Sequence, residues 1–280
     1  MKLIGLFGHP VSHSLSPLMH NFAFEKIGLQ YTYIAFDIAA EEVGNAVNSI
    51  RALNMAGCNV TIPYKQAVLP YLDEIDETAQ EMGAVNTIVN HGGCLKGYNT
   101  DGAGYVMSLE RETRMSAQGK EIAVIGAGGA ARGIIYELLK KSPAHVTVIN
   151  RNLDNARKLA DSLMPFGEIQ VVTDSQAIAL QTADIVINTT PVGMHPNVTD
   201  MPIIGDIFRS DQIVSDIIYN PLETMFLRTA RQRGARTHSG LGMFVYQGAL
   251  AFELWTGVKP PVEEMYRLIE QRLLLHSFGG

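Results

Sequence analysis

Cysteine is scarce in this 280-residue chain. Cys58 and Cys94 are the only two, and they form no CxxC pair, so nothing points to a disulfide framework. The expected setting is a reduced compartment, the cytoplasm, with no metal site. Charge is also sparse: 18% of residues are charged, the net charge is −6, and no lysine/arginine run exists that could track a phosphate backbone. Nucleic acid is therefore not an expected partner. Nor does any stretch supply the roughly 20 consecutive apolar residues that a membrane span requires, so no membrane association is expected. The apolar start, Met1 to Phe7, is broken by Gly5, Gly8, His9 and Pro10 and lacks a small-residue cleavage site. It reads as a first β-strand, not a leader. What the chain does have is 46% apolar residues, enough to bury a core in a length that fits about two domains.

Strand-like runs alternate with amphipathic helical patterns, the signature of α/β architecture with parallel sheets. Strands are expected near Lys2–Gly8, Tyr31–Asp37 and Gly57–Thr61, with helices near Pro17–Ile27 and Ala40–Leu53 between them. Ser16 reads as an N-cap, Pro17 suits the first helical turn, and Gly28 follows the end. Ala84–Val89 and Cys94–Tyr98, joined through His91-Gly92-Gly93, read as a hairpin. The polar stretch Ser108–Gly119 reads as a connection between domains. From Lys120 the pattern restarts, with strands near Ile122–Ile125, His145–Ile149, Ile169–Val172, Asp184–Asn188 and Gln212–Asp216. Two apolar helices, Phe244–Thr256 and Val262–His276, are expected to pack back onto the first domain.

Gly126-Ala127-Gly128-Gly129-Ala130-Ala131 reads as GxGxxA after a strand and opening a helix. Glycines allow a tight turn and close approach of backbone to a pyrophosphate, which the helix N-terminus attracts. A structural turn would use the same residues, but strand, turn, helix and second strand sit at the spacing of a dinucleotide site. Where NAD sites place an acid after the second strand, this chain has Asn150-Arg151. An arginine pairs with a 2′-phosphate that an acid would repel, so NADP is the expected cofactor.

Three segments of the first domain gather polar groups. Ser14 and Ser16 sit at a helix N-terminus, where hydroxyls and dipole together suit a carboxylate. Asn59 and Thr61 alternate on one side of a strand end, where open α/β sheets bind ligands. Lys65 is expected near the start of a following helix, whose dipole would favour the neutral amine of a proton donor. Asp101, in Asn99-Thr100-Asp101-Gly102, is a natural N-cap, and Asn86 adds an amide.

The order SLSP (14–17), NVTIPYK (59–65), AVNT (84–87), NTDG (99–102), GAGGAA (126–131), NTTPVGM (188–194), DIIYNP (216–221) and GLGMFVYQGALAFELWTG (240–257) resembles the shikimate dehydrogenase family. The resemblance implies two α/β domains. One is an N-terminal substrate domain with a mainly parallel sheet, residues 1–102 plus 240–280. The other is a Rossmann-type dinucleotide-binding domain, residues 103–239. It further implies NADPH-dependent reduction of 3-dehydroshikimate to shikimate. By it Lys65 and Asp101 are the catalytic pair, and Ser14 and Ser16 hold the substrate carboxylate. Asn59, Thr61, Asn86, Gln247 and Tyr219 contact the rest of the substrate. Gly126, Ala127, Gly128, Gly129, Ala130, Asn150, Arg151, Thr189, Gly240 and Met243 line the cofactor. One departure stands out: Asn155 occupies the position of the family's second phosphate-binding arginine, so a single cation faces the 2′-phosphate. A broader quinate/shikimate dehydrogenase using NAD or NADP, and a catalytically silent sensor of the same ligands, stay open, as do monomer and homodimer.

Overall fold

The structure is a computed structural model that describes residues 1–173, 178–203 and 207–277. Positions 174–177, 204–206 and 278–280, which fall inside the two expected domain ranges, lie outside the described residues. The chain divides into two compact units: Met1–Thr100 with Gln247–Ile269, and Asp101–Tyr246 with the segment from Glu270.

The first unit runs β1 (Lys2–Gly8), α1 (Ser16–Lys26), β2 (Tyr31–Asp37), α2 (Val43–Ala52), β3 (Gly57–Val60), β4 (Glu74–Ile75), α3 (Glu77–Met82), β5 (Thr87–His91) and β6 (Cys94–Tyr98). They form a six-stranded sheet of order β2-β1-β3-β5-β6-β4. β1 pairs parallel with β2 and β3, and the β5–β6 hairpin adds antiparallel to β3. A near-continuous apolar strand such as β1 suits burial on both faces, and its residues from Ile4 to Gly8 are all buried. The hairpin turns on Gly92 and Gly93, at φ 65° and 102°, a backbone region glycine enters without strain. The core gathers Phe7, Val47, Ile50, Tyr64, Ile88 and Leu95. Beside it, His20 stacks on Tyr33 with ring centroids 4.5 Å apart, and the Trp255 indole donates to the Ile88 carbonyl at 3.0 Å.

The second unit runs α4 (Asp101–Thr113), β7 (Glu121–Ile125), α5 (Gly129–Leu139), β8 (His145–Ile149), α6 (Leu153–Leu163), β9 (Ile169–Val172), α7 (Ile178–Thr182), β10 (Ile185–Asn188), β11 (Ile213–Asp216), α8 (Met225–Gln232) and β12 (Arg236–His238). Its six strands are parallel in the order β12-β11-β10-β7-β8-β9. Numbered within the unit this is 6-5-4-1-2-3, the doubly wound order, which reverses direction between β7 and β10. Open sheets of this kind hold ligands beyond the strand ends at that reversal. α9 (Gly240–Thr256) and α10 (Val262–Ser277) complete the chain, and the division into units falls inside each of them.

Several local expectations are corrected. Ser16 is not the cap of α1: Leu15 precedes the helix, no side chain caps it, and Ser16 is its first residue. Asp101 is the first residue of α4, one position inside the expected cap. No α-helix starts at Lys65, which lies in a turn before a short 3-10 segment, Leu69–Tyr71, so no helix dipole acts on it there. The stretch Ser108–Gly119, read as a connection, begins inside a helix. Ser108–Thr113 is the end of α4, with Ser108, Leu109 and Thr113 buried. Of Ala40–Leu53, only Val43–Ala52 is α-helical, after a 3-10 turn at Ala40–Glu42. Among the described residues no helix is long and apolar enough to cross a membrane, and no three His, Cys, Asp or Glu residues are grouped to hold a metal.

Candidate functional site

In the first unit the polar residues converge at the carboxyl ends of β1 and β3. Phe7 pairs with Val60 there, and the Thr61 N–H donates to the Phe7 carbonyl at 2.9 Å. Asn59 is buried. Its amide donates to the Asn86 carbonyl and to Thr87 Oγ1, both at 3.0 Å, and its Oδ1 accepts from the Tyr33 hydroxyl at 2.8 Å. Asn86, also buried, donates to Thr100 Oγ1 at 2.9 Å and accepts from the Thr100 N–H at 2.9 Å and the Thr87 hydroxyl at 3.0 Å. Both asparagines thus serve the scaffold as well as any ligand. Their cross-links fix β3, β5 and the strand-to-helix corner at Thr100, and a buried amide without such partners would be costly.

Tyr33 is the residue that pattern reading missed. It sits in β2, 1% exposed, with its hydroxyl donating to Asn59 Oδ1. Burial above all, with Cys58 nearby, pushes its phenol well above the usual range, so it stays protonated as the donor to Asn59. A buried tyrosine usually finds a partner for its hydroxyl, but β2 is a half-exposed edge strand in which Tyr33 alone is buried, so no local pattern marks it. Ser16 is buried and Ser14 half-buried, with the Ser14 Oγ accepting from the Ser16 N–H at 3.2 Å. Lys65 is half-buried on a turn anchored at both sides. The buried Tyr64 donates to the Ile38 carbonyl at 2.5 Å, and the Lys65 carbonyl accepts from the Val85 N–H at 2.8 Å. Gln247 is half-buried on α9.

In the second unit the glycine-rich turn spans the sheet's reversal point. Gly126 has φ 107°, and a Cβ there would lie 2.5 Å from Thr189 Oγ1. Thr189, at the end of β10, donates its hydroxyl to the Ile125 carbonyl at 2.7 Å and so ties the two central strand ends together. Gly128 and Gly129 are the reverse case: a Cβ on either meets nothing within 4 Å. The open face lies against the first turn of α5, which has neither a capping side chain nor an acid. Free amides, a positive dipole end and bare backbone make up the chemistry a pyrophosphate needs, so Gly126, Ala127, Gly128, Gly129 and Ala130 fit a dinucleotide.

After β8, Asn150 donates to the Asn152 carbonyl at 2.7 Å, and Asn152 caps α6 by accepting from the Asn155 N–H at 3.1 Å. Those bonds shape a turn that leaves Arg151 exposed, and among the described residues Arg151 makes no ion pair. Asn155 occupies the first turn of α6, with no cation beside it in that turn. At the end of β11, Asp216 is fully buried. It accepts from Asn188 at 3.1 Å, the Ile218 N–H at 3.1 Å and the Thr224 hydroxyl at 2.7 Å. Burial raises its pKa to about 6 against the pull of those donors. Asn188 in turn accepts from the Thr190 N–H and hydroxyl. Asn188 and Asp216 thus hold the loops that carry Thr189 and Tyr219. The sequence motifs include both, without revealing this role. Tyr219 is half-buried, its ring 4.9 Å from that of Phe244, and burial raises its phenol pKa. Gly240 opens α9, and Met243 follows half-buried in its first turn.

Three family models match the chain: a shikimate dehydrogenase substrate binding domain over residues 6–88, a shikimate/quinate 5-dehydrogenase over 108–200, and a shikimate 5′-dehydrogenase C-terminal domain over 240–270. A shikimate dehydrogenase (NADP+) of Geobacillus kaustophilus is 50% identical over 272 residues, covering 97% of this chain and 99% of that protein. A shikimate dehydrogenase crystallised with NADP+ superposes with a TM-score of 0.92 at 44% identity, over 98% of this chain and 96% of that one. A quinate dehydrogenase from Corynebacterium glutamicum in complex with NAD gives a TM-score of 0.90 at 31% identity, over 96% and 99%.

Proposed function

The chain belongs to the shikimate dehydrogenase family, and on that footing we propose that it reduces 3-dehydroshikimate to shikimate, reversibly, with NADPH. The observation that carries this reading is identity of 50% across nearly the whole of a shikimate dehydrogenase (NADP+), with neither chain left unmatched over any large part. The chain is accordingly an oxidoreductase of the shikimate pathway. The same reading assigns substrate to the first unit and dinucleotide to the second, in the cytoplasm.

The residue roles are part of the proposal. A bound nicotinamide supplies the hydride to the ring ketone. Lys65 would deliver a proton to the forming alkoxide and stabilise its charge, with Asp101 as the second member of the catalytic pair. The hydroxyls of Ser14 and Ser16 donate to the substrate carboxylate. Thr61, Asn59, Asn86, Gln247 and Tyr219 fix the ring so that one face meets the hydride, a positioning effect worth several kcal/mol. Asn59 and Asn86 suit this because their amides are already held by protein partners and need no reorganisation when substrate binds. Arg151 and Asn150 would face the 2′-phosphate, Met243 would lie near the nicotinamide, and Thr189 and Gly240 would contact the cofactor.

Steady-state oxidation of NADPH and of NADH with 3-dehydroshikimate tests the reading, with quinate as the competing substrate. Turnover with 3-dehydroshikimate and NADPH is expected. Faster turnover of quinate with NAD+ would favour the broader quinate/shikimate enzyme, and binding without turnover would leave the silent sensor.

A further inference from the structure

The last strand of the second unit carries a histidine that none of the roles above uses. His238 ends β12, is 2% exposed, and burial lowers its pKa to about 4, so near neutral pH the imidazole is uncharged and has one N–H. Its nitrogens face two buried serines: Nδ1 lies 2.8 Å from Ser215 Oγ and Nε2 lies 3.0 Å from Ser108 Oγ. Accounting for hydrogens decides the tautomer. The Ser108 hydroxyl donates to the Tyr105 carbonyl at 2.9 Å, so its oxygen can only accept from His238, and the imidazole proton belongs on Nε2. Nδ1 then accepts the Ser215 hydroxyl, whose oxygen accepts from the Tyr105 phenol at 2.8 Å. The circuit leaves the Tyr105 side chain and returns to the Tyr105 backbone, with every hydrogen used once. Glu112 Oε1, 3.9 Å from Nε2, is too distant to take that proton.

The circuit sits where it governs α4. Asp101 opens this helix, and Tyr105, Ser108 and Glu112 follow at i+4, i+7 and i+11 on one face. Next to Asp101, a Cβ on Gly102 would lie 2.3 Å from the Gly133 carbonyl, so the first turn of α4 lies directly on α5, the helix opened by the glycine-rich turn. A Cβ on Gly242 would lie 2.0 Å from Glu112 Oε1 and 2.6 Å from Ser108 Cβ, so the first turn of α9, bearing Met243, rests on the same residues.

We propose that the Tyr105–Ser215–His238–Ser108 circuit is a positioning device for the reaction: it sets the height and rotation of α4 on β11 and β12, and thereby places Asp101 and seats the Gly240–Met243 turn. This rests on the reading of Asp101 as one of the catalytic pair. The four residues touch no substrate and act through the helix they hold.

Tyr105→Phe tests it, because it removes one hydroxyl and keeps the ring's packing. The expected result is a fall in kcat of about tenfold or more, with KM for shikimate within about twofold of wild type. His238→Gln, which keeps an N–H for Ser108, should retain more kcat than His238→Leu. Combined with Asp101→Asn, Tyr105→Phe should cost nothing further, since the group being positioned is already gone. Normal kcat in Tyr105→Phe beside a crippled Asp101→Asn, or multiplicative losses in the double variant, would overturn the proposal. Wild-type kcat in Asp101→Asn would instead remove Asp101 from the mechanism and, with it, the object of the circuit.

Discussion

Adding one methyl group at two neighbouring glycines separates a turn made for the protein from a turn made for a ligand. At Gly128 the backbone is extended, φ −90° and ψ −172°, which alanine adopts freely, and a Cβ meets nothing within 4 Å. Gly128→Ala should therefore leave stability unchanged or raise it by about 0.4–1 kcal/mol, through the less flexible unfolded chain. A dinucleotide that approaches this backbone would meet the methyl, and overpacking of that kind costs about 1–3 kcal/mol, or roughly 5- to 150-fold in Kd for NADP+. Gly126 is the opposite. At φ 107°, alanine is strained by about 1–3 kcal/mol, and its Cβ would lie 2.5 Å from Thr189 Oγ1. Thr189 can retreat only by giving up its bond to the Ile125 carbonyl, about 1 kcal/mol more. Gly126→Ala should thus lose about 2–4 kcal/mol of stability before any ligand is considered. Thermal or urea unfolding reads the first quantity, and calorimetric titration with NADP+ reads the second. If Gly128→Ala unfolded more easily while binding NADP+ normally, the open face would not be the cofactor's seat.

Other perturbations read the remaining roles. Lys65→Ala should lower kcat by about two to four orders of magnitude with a smaller change in KM, and near-normal kcat would remove Lys65 from proton transfer. Arg151→Ala should lose about 1.5–3 kcal/mol of NADPH preference, seen as a selective fall in kcat/KM for NADPH, whereas Asn155→Arg should increase it; equal damage to both cofactors would refute the phosphate contact. Tyr33→Phe should raise KM for shikimate by roughly two- to tenfold, the worth of one hydrogen bond, with kcat little changed. Unchanged KM would reduce Tyr33 to packing. Stability should also fall with acid. His20 and His238 have folded pKa values of about 3 and 4, below the ordinary 6.5, so the unfolded chain binds their protons first and stability drops as pH falls from 6.5 towards 4. Asp216, raised from 3.8 to about 6, opposes this, because the folded state takes up its proton first. At 1.36 kcal/mol per pKa unit the net loss between pH 7.5 and pH 5 is about 3 kcal/mol. Urea midpoints at the two pH values measure it, and equal midpoints would contradict the buried neutral histidines.

Much of the fold was legible because its signals are local. β1, β2, β8 and β9 fall where their apolar runs and bounding turn residues put them, and the β5–β6 hairpin turns on its two glycines. The misreadings share one cause. At Ser16, Asp101 and Lys65 the local pattern suggests a helix end, whereas α1 and α4 begin at the first two residues themselves and no α-helix starts at Lys65. Ser108–Gly119 reads as a connection because its polar residues outnumber its apolar ones. Which of them are buried depends on a helical face that only packing reveals.

The sequence by itself determined the α/β class, the strand–turn–helix of the dinucleotide site, the missing acid after β8, and the family, since each rests on residue order within a short window. Only the tertiary structure decided that Tyr33 bonds to Asn59, that Asn188 and Asp216 brace the loops of the sheet's reversal point, and that His238 closes a circuit on Tyr105. Those bonded partners lie 23 to 110 residues apart in the chain, on different strands and helices. A hydroxyl or amide inside such a strand requires a partner, but which one is settled by sheet order and register, and no local pattern encodes that.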